Sequence, residues 1–238
     1  MQSRTPRRFT VTASVVCAAM LVAAGCQAQS PRAERTQSSA VAPQSNSVPL
    51  PAAPPAPPSA GLSGLDNRMQ QATADASSTG ADIKAVVLDR TTGQLVSNGD
   101  GQAFPIASVV KLFIADDLLL QEAEGKTTLS ADDRAALDRM LRSSDDSAAQ
   151  TFWDRSGGDA IIARVKARYG LGGTTAPWNG HWDVTTSTAS DLVRYYDMLL
   201  DGTGGLPPDK ADIILGDLAQ STPTGLDGYP QRFGIPDG

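Results

Sequence analysis

Apolar positions crowd into Val109–Leu120, directly after Pro105, and that contrast predicts a loop running into a buried helix. Upstream, residues 63–78 place Leu65, Met69 and Ala72 at helical spacing. A β-rich run, Ile83 to Leu88, then meets the turn Arg90-Thr91-Thr92-Gly93, and Gln94 to Ser97 returns as a second strand. Downstream the pattern is mostly helical. Ser130 opens a helix with Asp132 and Asp133 in its first turn and Ala135, Leu137, Met140 and Leu141 as its apolar positions. Another helix runs through Phe152 and Trp153 to Gly157-Gly158. A further one covers 159–169, with Ile161, Ile162, Val165 and Tyr169 on one face. Leu171 to Thr186 is loop, with Trp178 and Trp182 expected to pack it onto the domain. Thr188 to Leu200 is amphipathic, Pro207-Pro208 opens a last helix to Leu218, and no strand-like run follows.

The first 62 residues follow another logic. Residues 1–25 carry Arg4, Arg7 and Arg8 and then an apolar stretch, Val11 to Ala24, too short to span a bilayer comfortably. Ala23-Ala24-Gly25-Cys26 resembles a bacterial lipoprotein box, which implies lipidation of Cys26 and a lipid-anchored protein on the extracytoplasmic face of the cell membrane. A plain cleaved signal is the alternative, and Arg7-Arg8-Phe9 is a faint twin-Arg feature. Residues 26–62 are rich in Ser, Gln, Ala and Pro, with a Pro/Ala run from Pro49 to Pro58. Such a segment cannot bury a core and reads as an extended tether. The expected organisation is therefore a leader at 1–25, a tether at 26–62 and one folded domain at 63–238.

Charge and composition narrow the chemistry. The leader holds three arginines and no acid, so the remaining 17 basic residues face all 26 acidic ones, a balance of −9. That argues against nucleic acid as a partner, because a phosphate-binding surface needs clustered Lys and Arg. Both cysteines, Cys17 and Cys26, precede the folded domain, which excludes an internal disulfide or a thiolate metal site there. His181 is the single histidine, so metal sites built from several histidines are excluded and no metal or cofactor is expected.

Ser108 and Lys111 stand three residues apart at the helix start and share a face. A serine hydroxyl needs a base within hydrogen-bond reach to act as a nucleophile, and a lysine among apolar neighbours can serve. Phe104-Pro105-Ile106-Ala107-Ser108-Val109-Val110-Lys111 resembles the nucleophile motif of penicillin-binding proteins and class A β-lactamases. Ser144-Asp145-Asp146, followed by Ala148-Ala149, resembles the Ser-Asp-Asn motif of the same family. Read without the resemblance, Ser144-Asp145 is equally a helix N-cap with an acid in the first turn.

The resemblance implies an α+β fold: a helical subdomain bearing Ser108 and Ser144, packed on an antiparallel sheet whose C-terminal strands are not in this sequence. It implies Ser108 as nucleophile, Lys111 as base, Ser144 as proton relay and Asp146 in the substrate-binding position. Asp146 departs from the family's Asn: a carboxylate loses the amide's donors and favours the ammonium form of the lysine. Class A enzymes also carry a water-activating Glu in the loop before the Thr-rich segment matched here by Thr185 to Ala189. No Glu occurs after Glu124, and Asp183 is the only acid between Ala160 and Ser190. No Lys-Thr-Gly motif follows Lys210, so the chain is expected to be a fragment or truncated product.

Two functions follow. One is an acyl-serine enzyme acting on a small-molecule or peptide substrate, a β-lactam or a peptidoglycan stem peptide, with slow release of the acyl group. The other is a membrane-tethered binding lipoprotein that keeps the fold without turnover. A Ser-His esterase using His181 is weaker, because Ser108 lies on no Gly-x-Ser-x-Gly elbow.

Overall fold

A computed structural model describes residues 62–99 and 101–231. The leader, Cys26 and nearly all of the tether lie outside the described residues. The architecture is α+β and is built around one helix.

That helix is α2 (Val110–Ala123), whose residues Val110 to Leu119 are all buried. A helix buried on every side must be surrounded by other elements, and α2 is. It packs against α3 (Ala131–Ser143), α4 (Asp146–Arg155), α5 (Asp159–Tyr169) and α7 (Pro208–Ala219). The aromatic centre is Tyr195, on α6 (Ala189–Asp201), with ring centroids 4.9 Å from Phe113 and 4.7 Å from Tyr169.

Two carboxylates are buried on α2, and α5 supplies most of their partners, with Tyr195 of α6. Asp117 takes a two-pronged contact from Arg164, at 2.7 Å for both nitrogens. Asp116 is fully buried and accepts hydrogen bonds from Arg168, Tyr169 and Tyr195. Burial pushes the Asp116 carboxyl up from its ordinary value, and the Arg168 charge opposes that rise.

Around this bundle the strands are short. Before it come α1 (Leu65–Ser78), β1 (Val86–Asp89) and β2 (Gln94–Ser97). The hairpin β1–β2 is antiparallel, with Val87 opposite Val96 and Leu88 opposite Leu95. β3 (Phe104–Pro105) pairs with β4 (Thr186–Ser187) in a second two-stranded piece. Among the described residues the two pieces do not join into one sheet.

The structure corrects several details of the apolar pattern. Ala72 is exposed, and Thr73 and Ala76 continue the half-buried face of α1 instead. On α3, Ala135 is exposed and Ala136 turns inward. Alanine's small side chain gives too weak a signal to choose between adjacent positions. Trp182 is buried, but Trp178 is 87% exposed and does not pack. The stretch after Leu218 also has more order than its sequence implies: Thr224 bridges to Pro230, closing a turn against the end of α3.

Candidate active site

The turn that carries Ser108 is held from outside its own segment. Phe104 and Pro105 pair with Ser187 and Thr186, and the Ile106 amide donates to the Thr185 carbonyl at 2.9 Å. The chain then forms one turn of 3-10 helix, Ala107–Val109, before α2 begins. Ser108 lies in that turn and is exposed, whereas Lys111, in the first turn of α2, is buried.

Ser144 reaches the same place from another direction. It ends α3 with φ 54 and ψ 43, a left-handed conformation that reverses the chain. Asp145 then caps α4, accepting from the amides of Ser147 at 2.9 Å and Ala148 at 3.1 Å. The two readings of Ser144-Asp145 thus apply to different residues: Asp145 starts the helix, and Ser144 faces Lys111. Ala107, at φ 45, and Ser144 are the only described non-glycine residues with positive φ. Such backbone costs about 1–3 kcal/mol each and persists only where surrounding structure imposes it. Both flank the same cluster.

Lys111 Nζ lies 3.0 Å from Ser108 Oγ, 2.7 Å from Ser144 Oγ and 2.9 Å from the Ser144 carbonyl. Ser144 Oγ lies 3.1 Å from Ser108 Oγ, closing a triangle of two hydroxyls and one amine. The fourth oxygen around Nζ is Asp146 Oδ1, at 2.5 Å. An ammonium has three protons, so four oxygens exceed what it can satisfy at once. The pair is also asymmetric: the Lys111 side chain is 3% exposed and that of Asp146 62%. Water therefore screens the carboxylate but not the amine.

The Trp182 ring covers another side of Lys111, its centroid 4.9 Å from Nζ. Its loop is tied down by Trp153 Nε1 donating to the Gly180 carbonyl at 3.1 Å and Lys166 Nζ donating to the Thr174 carbonyl at 2.6 Å. His181 and Asp183 belong to the same loop, but both are exposed and neither hydrogen-bonds to Ser108, Lys111 or Ser144. Among the described residues no three His, Cys, Asp or Glu side chains gather closely enough to hold a metal ion.

A cleft of about 420 Å³ opens at Ser108. Ser108, Ile106 and Val109 line it from the turn, Ser144 from the end of α3, and Asp227 and Tyr229 from the C-terminal segment. Sequence reading missed those last two residues and the nearness of Trp182 to Lys111. Asp227 and Tyr229 sit in loops and Trp182 opens a single 3-10 turn, Trp182–Val184, and in neither does hydrophobic periodicity say anything about placement.

No family model matches the chain. Over 188 residues it is 62% identical to proteins named "Putative lipoprotein LppW" in Mycobacterium tuberculosis and Mycobacterium bovis. That match covers 79% of this chain, which spans about 60% of the length of those curated relatives. Solved structures show a wider likeness. A β-lactamase from Chitinophaga pinensis DSM 2588 superposes with a TM-score of 0.57 at 15% identity, over 66% of this chain and 71% of its own. A β-lactamase from Sphaerobacter thermophilus DSM 20745 gives 0.56 at 18% identity, over 65% and 69%. An ancestral class A β-lactamase gives 0.52 at 19%, over 68% and 72%. The chain has a β-lactamase-like fold. At these identities the likeness is one of fold and leaves the chemistry to the site itself.

Proposed function

We propose that this protein is an exported lipoprotein with an acyl-serine site of the β-lactamase and penicillin-binding type. The observation that carries the proposal is the closed triangle of Ser108 Oγ, Lys111 Nζ and Ser144 Oγ, with edges of 2.7 to 3.1 Å. Ser108 Oγ attacks the carbonyl carbon of a β-lactam or an amide, and its proton passes to Lys111 Nζ as the amine. When the carbon–nitrogen bond breaks, that proton travels through Ser144 Oγ to the leaving nitrogen. The product is an ester on Ser108, and water is needed to release it. His181 and Asp183 make no hydrogen bond to the triangle, and the Trp182 ring shields Lys111, so the ester should persist. β-Lactams or stem peptides of the cell wall are the proposed substrates, with penicillin binding favoured over hydrolytic turnover.

Intact-mass analysis with a reporter penicillin tests this. A one-to-one adduct on Ser108, absent in Ser108→Ala and slow to disappear, is the expected result. An adduct that vanishes with turnover would mean that another group activates water. No adduct on folded protein would discard the acyl-serine reading.

A second reading rests on the contact between Asp146 and Lys111, at 2.5 Å. A carboxylate so placed pairs with an ammonium, the form of lysine that cannot take a proton from Ser108. On that reading the protein binds its ligand without acylation.

Anchoring is a separate part of the proposal, supported by the lipoprotein name of the relatives and by Ala24-Gly25-Cys26. A diacyl or triacyl group on Cys26 would hold the domain at the outer face of the membrane. Cys26→Ala should move the protein to the soluble fraction or leave the leader attached. Unchanged fractionation and processing would contradict lipidation.

A further inference from the structure

A proton relay through Ser144 depends on where α3 ends. Resting on the acyl-serine reading, we propose that Gln231 is a positioning residue for the reaction: its side-chain amide holds the end of α3 that presents Ser144.

The geometry of Ser144 shows why its helix end needs holding. Ser144 Oγ lies 2.7 Å from Lys111 Nζ and 3.1 Å from Ser108 Oγ. A displacement of about half an ångström takes the longer contact out of hydrogen-bond range. Ser144 follows the last turn of α3, whose final carbonyls have no partner within the helix. Such ends open first when nothing covers them. The left-handed backbone of Ser144, at φ 54, is also one that a non-glycine residue keeps only under outside constraint.

That constraint comes from a segment far along the chain. Gln231 Nε2 donates to the Arg142 carbonyl at 3.1 Å and to the Thr222 carbonyl at 2.8 Å. Both acceptors are carbonyls, so the amide nitrogen faces them and both of its protons are engaged. The Thr222 amide donates to the same Arg142 carbonyl at 2.8 Å, and the Leu226 amide donates to the Ser143 carbonyl at 2.9 Å. Two N–H donors thus fill the two lone pairs of the Arg142 oxygen. Thr222 Oγ1 lies 3.1 Å from that oxygen but 2.8 Å from the Thr224 carbonyl, and its one proton serves the nearer. Gln231 springs from a fixed point, because its own amide donates to the Pro223 carbonyl at 2.9 Å. A tie in the reverse direction runs from Arg142 Nε to the Gln220 carbonyl, at 3.2 Å. Gln231 therefore joins the helix end to the segment that covers it. It also lines the cleft at Ser108, so direct contact with the substrate is the competing account.

The test separates these roles. Gln231→Met keeps the length of the side chain and removes both donors. Two quantities are measured on the full chain. One is the rate at which a reporter penicillin labels Ser108. The other is hydrogen exchange at the Ser144 and Asp145 amides, which both donate to the Arg139 carbonyl. Labelling should slow about tenfold, within the scale of a misplaced catalytic group. In a Ser144→Ala background the same change should slow labelling by about twofold at most, because no hydroxyl remains to be positioned. The Ser144 and Asp145 amides should exchange about fivefold faster in Gln231→Met, while α5 exchanges as before. Gln231→Lys, which restores donors on a flexible stem, should recover most of both losses. An equal slowdown with and without Ser144 would mean that Gln231 touches the substrate or acts through general loss of structure, and would overturn the proposal. Unchanged labelling, or unchanged exchange at Ser144, would overturn it too. If the unaltered chain takes no label, the acyl-serine reading falls by itself. Faster exchange would then keep Gln231 as the hold on Ser144 in a protein that binds without acylating, and unchanged exchange would remove it.

Discussion

At the scale of single residues, the surroundings of one side chain bear most directly on the proposed acylation. Lys111 has four oxygen neighbours within 3.0 Å, and only Asp146 among them is a carboxylate. The ammonium form satisfies Asp146 and the Ser144 carbonyl together, whereas acylation needs the amine form turned toward Ser108. Asp146→Asn keeps the shape and removes the charge. It should accelerate acylation of Ser108 about fivefold, the factor that a partly screened pair of roughly 1 kcal/mol yields. Stopped-flow labelling with a reporter penicillin at neutral pH measures it. An unchanged or slower rate would show that the carboxylate is not what limits the step.

At the scale of elements, the junction of α3 and α4 carries Ser144 and depends on ionised carboxylates. The Ser130 amide and Arg155 hold the Asp133 carboxyl below its ordinary value, and with them the start of α3 and its tie to α4. For Asp145, burial works to raise the carboxyl, but the Ala148 amide, Arg139 and the Ser147 amide outweigh it and hold it low. Glu122 follows the same pattern. Burial works against ionisation there, and Lys210 on α7, the Leu129 amide and Arg134 on α3 outweigh it. Carboxyls depressed by folding contribute stability that is present above their unfolded values, near 4, and lost as pH falls through the lower folded values. Amide protection in α3 and α4 should therefore drop first as pH falls below about 4, ahead of α5 and α6. Hydrogen exchange across that range checks the order, and simultaneous loss in all helices would contradict it.

At the scale of the whole molecule, the fold rests on how α2 is buried with its charges inside. Arg168, 17% exposed at its side chain, neutralises Asp116, which has no contact with water. Removing one partner of a buried pair leaves an uncompensated charge and costs more than the pair contributes. Arg168→Ala should destabilise the domain by about 3 kcal/mol, or roughly 6 to 12 °C in Tm. Asp116→Asn should cost less, because its amide can still accept from Tyr169 and Tyr195. Thermal unfolding of both variants measures the difference, and the reverse order would mean that the arginine acts through packing alone.

Much of this molecule is legible in its residues taken in order, and the reason is local. Ser130 with Asp133 makes a reciprocal cap at the start of α3, Pro208 opens α7, and the spacing of Ile161, Ile162, Val165 and Tyr169 selects the buried face of α5. Ser108 and Lys111 share a face because they lie on one turn, and Ser144 could be sought because its neighbours resemble a known motif. Long-range closure was not legible. The pairing of Phe104-Pro105 with Thr186-Ser187, the Trp182 ring over Lys111, and the docking of Asp227 and Tyr229 beside Ser108 join segments far apart in sequence. Those contacts are set by backbone hydrogen bonds to free carbonyls and by loop packing, neither of which leaves a periodic trace in the residues. Trp178 and Trp182 make the point together: two tryptophans four positions apart in one loop, of which the tertiary structure buries the second and exposes the first.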